Sequence, residues 1–126
     1  MNMTISSSIV LKDERHIGRV LSRVGDKWTM MVIFVLQRGP LHFNAVKRSI
    51  DGISQQMLTR TLRALERDGV ISRTVLPSSP PQVQYALTPL GTSLSRPVLA
   101  LCKWACDNIE QINSAQHTFD MQVQKG

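Results

Sequence analysis

The chain has 126 residues, 42% of them hydrophobic and 5% aromatic, and its 15 lysines and arginines exceed its 9 acidic residues, giving a net charge of +6. This length suits one domain with a mainly aliphatic core, and the basic balance favours a polyanionic partner. Two cysteines are too few for a disulfide scaffold, no apolar run reaches the roughly 20 residues of a membrane span, and no signal peptide is recognisable, so we expect a cytoplasmic protein.

The chain begins with a small, polar stretch without periodicity, residues 1–10, which we interpret as a flexible N-terminal arm. Residues 11–24 then show the i, i+3, i+4, i+7 spacing of an amphipathic helix. The apolar positions of this predicted first helix are Ile17, Val20, Leu21 and Val24. Gly25 ends it.

The second predicted helix, residues 27–37, follows Asp26 as a capping residue. It is apolar almost all round. A helix without a polar face must be covered on every side, so the sequence places it at the centre of the fold.

A helix-turn-helix pattern follows the break at Gly39-Pro40. Leu41-His42 predicts a short edge strand, residues 43–50 predict a third helix, and a turn of three or four residues leads to a fourth helix within residues 52–69. Ser54 is a suitable N-cap and Gly69 a suitable stop for that fourth helix.

The outer face of the fourth helix carries amides, a hydroxyl and arginines. Helical periodicity places its apolar residues inward and its polar ones outward, namely Gln55, Gln56, Thr59, Arg60, Arg63, Glu66 and Arg67. Amides and guanidinium groups pair bidentately with base edges and phosphates in a major groove. We therefore assign Ser54, Gln55, Gln56, Thr59, Arg60, Arg63 and Arg67 to DNA binding. The plainer interpretation is an amphipathic helix with a solvated basic face.

The periodicity changes from 3.6 to 2 after Gly69, which predicts two strands, residues 70–75 and 82–88. The proline-rich connection, residues 77–81, suits an exposed hairpin tip. A hairpin directly after a helix-turn-helix is a wing. Arg73, Ser78 and Ser79 are its candidate DNA contacts.

The last predicted helix, residues 89–114, opens with Pro89 after the capping residue Thr88. Pro97 removes one hydrogen bond inside it and should bend it. Its apolar stripe is longer than one winged-helix core needs, so we interpret the outer half as a dimer seam. Residues 115–126 are interpreted as a frayed tail, and residues 11–114 as one domain.

Four further residues have two interpretations each. Cys102 and Cys106 lack the companions of a zinc site, and we interpret them as small buried residues, with a redox role as the alternative. Trp28 and Trp104 are packing residues or the border of an effector pocket. No metal site, cofactor motif or catalytic arrangement is recognisable, so we do not expect an enzyme.

The ordered motifs resemble the HxlR-type winged-helix regulators, relatives of the MarR type, over residues 17–104. The matching residues are Gly25-Asp26-Lys27-Trp28, Gly39-Pro40, Phe43-Asn44, Gly52-Ile53-Ser54, Met57-Leu58, Leu62, Leu65-Glu66, Asp68-Gly69, Pro80-Pro81, Val83, Tyr85, Leu87-Thr88 and Gly91. The resemblance implies a mainly α-helical winged helix-turn-helix that dimerises through its first and last helices. It also implies transcription regulation at a palindromic double-stranded DNA operator, in response to a small-molecule or redox signal.

Two positions depart from that family. Many relatives carry a sensor cysteine just before the first helix, where this chain has Arg15-His16. Many also have a basic residue after Pro-Pro in the wing, where this chain has Gln82. The alternative function is a winged-helix protein-interaction module without sequence-specific DNA binding, against which the outward Arg60, Arg63 and Arg67 argue.

Overall fold

The backbone of residues 14–125 and the side chains of residues 16–124 are described by a computed structural model. Its elements in chain order are α1 (Glu14–Gly25), α2 (Lys27–Leu36), β1 (Leu41–His42), α3 (Phe43–Ser49), α4 (Gln55–Arg67), β2 (Ile71–Leu76), β3 (Gln82–Leu87) and α5 (Pro89–Lys125). This order confirms the predicted fold class, mainly helical with a small β-hairpin wing. The predicted N-terminal arm, residues 1–10, and the start of the first predicted helix, residues 11–13, lie outside the described residues.

Helix α2 forms the centre of the core, because α1, α3, α4, α5 and β3 all pack against it. Val32, Ile33 and Leu36 are at most 2% exposed. The prediction that α2 is covered on every side is wrong for one strip of its surface. Met31 and Phe34 lie three residues apart on that strip and are 39% and 36% exposed, since no described element of the same chain packs over them.

The core is aliphatic, as the composition predicts. Its other buried apolar residues come from α3, α4, the turns, the hairpin and the first turns of α5, and they are Val46, Ile50, Ile53, Leu58, Leu62, Leu65, Val70, Ile71, Tyr85 and Val98. Helix α4 thus contributes three large side chains. Its inner face is fixed against α2, and its outer face is left to solvent.

The three strands form one antiparallel sheet in the order β1-β3-β2. Leu41 of β1 and Arg73 of β2 both lie opposite Tyr85 of the central strand. Strand β2 begins at Ile71, one residue later than predicted, because Val70 closes the turn that follows α4. Its amide donates to the Leu65 carbonyl oxygen at 3.0 Å, and its own carbonyl oxygen accepts from the Thr88 amide at 3.0 Å.

Helix α5 has 37 residues and is therefore about 55 Å long. We expected it to end near Ser114, with residues 115–126 as a frayed tail, but the structure continues it to Lys125. The physical reason is that residues 115–125 contain neither glycine nor proline, so nothing in them stops a helix. Beyond Cys102 its apolar side chains leave the core. Ile109, Phe119 and Val123 are 49%, 64% and 60% exposed.

Candidate nucleic-acid interface

The start of α4 is fixed by a turn and a cap. Gly52 has a φ of +83°, a conformation that residues with a Cβ rarely adopt. The Ser54 hydroxyl accepts a hydrogen bond from the Met57 amide at 3.0 Å, which confirms Ser54 as the N-cap. The turn runs over the five residues 50–54, longer than predicted, because α3 ends at Ser49 and the buried side chains of Ile50 and Ile53 both belong to the turn.

The end of α4 is equally defined. Gly69 has a φ of +77°, and its amide donates to the Glu66 carbonyl oxygen at 3.0 Å. Together with the bond from the Val70 amide to Leu65, this is a Schellman motif, whose usual apolar contact here involves the buried side chains of Leu65 and Val70. Both ends of the helix are therefore set by short-range hydrogen bonds, and the outer face has one orientation.

The outer face of α4 presents donors and acceptors around one concavity. This concavity is open and has a volume of about 600 Å³. The side chains that line it are all exposed, and they are Gln55, Gln56, Thr59, Arg60 and Arg63. None of these five carries a carboxylate. Two amides and a hydroxyl from the first turn and a half lie beside two guanidinium groups, which is the chemistry that pairs with base edges and phosphates.

Arg67, the last of the predicted DNA-binding residues on α4, lies apart from the other five. It is exposed, but it lines a second concavity together with α1 and the first turns of α5. Its charge is at the far end of the helix, beside Asp68. The structure therefore divides the three predicted arginines into Arg60 and Arg63 at the concavity and Arg67 outside it.

The wing presents its candidate residues differently. Arg73 is exposed on β2. Ser79 is exposed at the hairpin tip. The Ser78 hydroxyl donates to the Pro80 carbonyl oxygen at 2.7 Å, and the Ser78 amide donates to the Leu76 carbonyl oxygen at 2.9 Å. Ser78 therefore uses its donors to shape the tip, and only the lone pairs of its hydroxyl remain for other partners.

Two basic residues near this surface were not among the predicted site residues. Lys47 and Arg48 occupy the last turn of α3, and Arg48 is exposed. In a helix-turn-helix the first helix crosses the DNA backbone. Their signal in the sequence was a pair of adjacent cations just before the turn, which carries no periodicity and is common on solvated surfaces.

The four residues with two interpretations are spread over the core side and the exposed side of the protein. Trp28 is half-buried against the core with the Lys27 ammonium 4.4 Å from its ring centroid, whereas Trp104 is 56% exposed. Neither tryptophan lines either of the two concavities. Cys102 packs against the core, but Cys106 is exposed because α5 has left the core one turn later, so our interpretation of Cys106 as buried is wrong for the single chain.

Among the side chains of residues 16–124, no group of three or more histidine, cysteine or acidic residues is placed to hold a metal ion. In that same part of the chain, no helix is both long enough and apolar enough to cross a membrane.

Comparisons of the sequence and of the structure with known proteins both find transcriptional regulators. The family model described as HxlR-like helix-turn-helix matches residues 23–113. YtfH of Escherichia coli K12, an uncharacterized HTH-type transcriptional regulator, is 39% identical over 93 residues, which cover 74% of each chain. The solved YtfH of Salmonella typhimurium is 36% identical with a TM-score of 0.74, covering 79% of this chain and 88% of that one. The redox regulator HypR in its reduced form is 35% identical with a TM-score of 0.72, covering 78% and 97%.

Proposed function

The chain belongs to the HxlR-like helix-turn-helix family of transcriptional regulators, and from this premise we propose that it is a dimeric, sequence-specific regulator that binds double-stranded DNA through the outer face of α4. The proposal also includes a palindromic operator, a cytoplasmic location, and a response to a small-molecule or redox signal.

The observation that carries the proposal is the set of side chains around the concavity on α4. Gln55, Gln56 and Thr59 lie near the N-terminus of the helix, the part that a helix-turn-helix inserts into the major groove. Arg60 and Arg63 follow them along the helix, and none of the five residues that line the concavity carries a carboxylate. The inner face of the same helix is anchored in the core, so an inserted α4 moves with the whole domain.

The roles of the remaining candidates follow from their positions. We assign base reading to Gln55, Gln56, Thr59 and Arg60, and phosphate contact to Arg63. Further phosphate contacts are assigned to Ser54, Arg67, Arg73, Ser78 and Ser79, and to the additional cations Lys47 and Arg48. Phosphate contacts fix register and orientation, while base contacts carry the sequence information.

Dimerisation is supported by apolar surface that the single chain leaves open. On α5 a stripe with alternating spacings of three and four residues, the heptad pattern of helices that pair, begins at Cys102 beside the core. It continues through Ala105, Ile109, Ile112, the polar Gln116, Phe119 and Val123. On α1, Leu21 is 63% exposed. A two-fold dimer through these helices would place two α4 helices for half-sites about 34 Å apart, or a multiple of that spacing.

The alternative, a winged-helix module that binds proteins, predicts no preference among DNA sequences. Selection of bound duplexes from a random pool, followed by fluorescence anisotropy at two salt concentrations, separates the two functions. We expect a symmetric consensus and a log–log salt dependence of several units, because each phosphate contact contributes about 0.9 to the slope. Arg60→Ala should weaken binding, whereas Arg96→Ala, an exposed arginine outside the interface, should not. Failure to enrich any sequence would support the protein-interaction module.

A further inference from the structure

A second concavity lies where three helices meet, and none of the base-reading residues lines it. It is a half-open groove of about 670 Å³, between α1 on one side and the first turns of α5 on the other, with the end of α4 as its floor. Its apolar lining includes Val20, Val24, Val70, Leu90 and Leu94. Both its volume and its apolar lining are typical of sites for small organic ligands.

The polar groups of this groove are mostly cationic or basic. Among the described residues of the lining they are His16, Arg19, Arg23, Arg67 and Ser93, with Asp68 as the one carboxylate. The Arg23 guanidinium donates to Asp68 Oδ2 at 2.9 Å, so that pair neutralises itself. The Arg19 guanidinium donates to Nδ1 of His16 at 2.9 Å, a hydrogen bond that involves no carboxylate.

We propose that this groove binds an amphipathic organic anion, with an aromatic or aliphatic body on the apolar lining and a carboxylate between Arg19 and Arg23. An apolar body alone would bring no carboxylate to the Arg19 guanidinium. A carboxylate accepts bidentate hydrogen bonds from a guanidinium fork, which supplies orientation as well as affinity. As a signal-binding site, this proposal rests on the proposed function.

A second copy of the chain is the other candidate occupant, and its charges fit the groove less well. The exposed apolar stripe of α5 that a partner would insert has Ile109, Ile112 and Phe119 near its midline. At 100° per residue, Asp107 and Glu110 lie about 150° around the helix from that midline. Only Asp120 lies near the edge of the stripe. Such a helix brings few carboxylates to the basic rim, whereas an organic anion brings one directly.

The surfaces assigned to the dimer also differ from the groove. Leu21 does not line the groove, and the last exposed apolar residues of α5, Phe119 and Val123, follow its last lining residue, Pro97, by more than 20 positions, about 30 Å along the helix. On α5 the seam begins at Cys102, five residues beyond Pro97, so the groove and the seam are adjacent but share no residue. Both can exist in one assembly.

Within the groove, the Arg23–Asp68 ion pair joins α1 to the end of the DNA-binding helix. Asp68 is the C-cap of α4, and its amide donates to the Ala64 carbonyl oxygen at 3.0 Å. The side chains of Arg23 and Asp68 are 41% and 31% exposed, so a ligand carboxylate can reach Arg23 and compete with Asp68. A bound anion that competes for Arg23 weakens this link between α1 and the end of α4, and we expect weaker DNA binding as the result.

The test uses 1-naphthoate as the probe and the uncharged 1-naphthamide as its matched control, with the full chain in isothermal titration calorimetry and no DNA. We expect naphthoate to bind at least tenfold more tightly than naphthamide. Arg19→Gln should reduce the naphthoate affinity at least fivefold. Leu90→Glu should abolish it, because Leu90 is 57% exposed at the first turn of α5, where a carboxylate suits the helix but repels an anion. Arg96→Gln should have no effect.

Equal binding of the two probes, or naphthoate binding unchanged by Arg19→Gln and Leu90→Glu, would overturn the proposal. The proposal would also be overturned if the native chain did not bind naphthoate and Leu90→Glu converted the protein from dimer to monomer, since the groove would then hold a second copy. Because these titrations contain no DNA, their failure is distinct from failure of the proposed function. In a separate anisotropy assay on the selected operator, saturating naphthoate should weaken binding at least fivefold in the native chain and not in Arg19→Gln.

Discussion

The Thr88 hydroxyl donates a hydrogen bond of 2.6 Å to the Gly69 carbonyl oxygen and accepts one of 3.1 Å from the Gly91 amide. One side chain thus joins the turn that ends α4 to the first turn of α5. The relationship connects the helix assigned to DNA with the helix assigned to dimerisation, through atoms that neither role uses. It predicts that the two helices keep a fixed relative orientation.

Replacing Thr88 should lower the stability of the fold. Thr88→Val keeps the shape but removes the hydroxyl, and we expect a loss of about 1–2 kcal/mol in the free energy of unfolding, the usual cost of an N-cap. Thr88→Ser, which retains the hydroxyl, should lose less than half of that. Urea unfolding at one fixed protein concentration measures both variants. An equal loss of unfolding free energy in Thr88→Val and Thr88→Ser would contradict the stabilising role of the hydroxyl.

Gly91 allows α5 to start against the end of α4. A Cβ at this position would collide with the Val70 carbonyl oxygen and would lie 3.1 Å from Leu87 Cδ2. Because the first obstacle is backbone, we expect Gly91→Ala to cost about 1–3 kcal/mol. Gly18→Ala is the matched control, since nothing lies within 4 Å of its Cβ position in α1. It should be neutral or stabilise by up to about 1 kcal/mol, as for other helical glycines. If thermal unfolding showed equal changes in stability for Gly91→Ala and Gly18→Ala, it would contradict the close approach of Gly91 to Val70.

Assembly is tested by two substitutions near the end of α5. Phe119 lies on the heptad stripe and is 64% exposed, whereas Met121 lies off it and is 43% exposed. Phe119→Asp should raise the dimer dissociation constant at least tenfold, or about 1.4 kcal/mol, by placing a charge in the seam. Met121→Asp should leave it unchanged. Sedimentation equilibrium over a range of concentrations measures the dissociation constant. A native chain that is monomeric at micromolar concentration would contradict the proposed dimer.

The sequence predicted most of what short-range chemistry determines. Ser54, Gly69 and Thr88 were recognisable as caps because the hydrogen bond by which each one caps its helix joins residues three positions apart. The division of α4 into buried and exposed faces followed from its periodicity. What the sequence could not reveal depends on contacts between distant residues. The Arg23–Asp68 pair and the position of Arg67 beside α1 require knowing how α1 and α4 pack.

The length of α5 shows a different reason for error. We ended it near Ser114 because the main run of apolar residues ends there, yet a helix ends where a stop residue or lost packing favours another conformation. Residues 115–125 offer no stop, and Phe119 and Val123 continue the stripe. Composition was a better guide to this boundary than hydrophobicity.

The two cysteines provide a test of the signal. Because Arg15-His16 occupies the position of the family's sensor thiol, we predict that the double variant Cys102→Ser/Cys106→Ser keeps the operator affinity within about twofold (0.4 kcal/mol) of the native value. Mild diamide treatment should leave both proteins bound. Release of the native protein by diamide, without release of the double variant, would instead make the α5 pair a redox sensor.

Single substitutions can separate base contacts from phosphate contacts on the outer face of α4. Gln56→Ala should lower the ratio of specific to non-specific affinity by about 1–3 kcal/mol, the value of a bidentate base contact. Arg63→Ala should weaken all sequences alike and flatten the salt dependence by about one unit. Anisotropy titrations on the selected operator and a shuffled duplex, each at two salt concentrations, measure both quantities. Identical profiles for the two variants would contradict the division of roles.

The most direct test of the central claim, that α4 reads DNA, is the operator preference of the quadruple variant Gln55→Ala/Gln56→Ala/Thr59→Ala/Arg60→Ala. All four side chains are exposed, so the fold should survive, and circular dichroism checks this. The ratio of operator affinity to shuffled-duplex affinity, measured by anisotropy at one salt concentration, should fall to near one. A folded quadruple variant that keeps the native ratio would show that α4 is not the recognition helix.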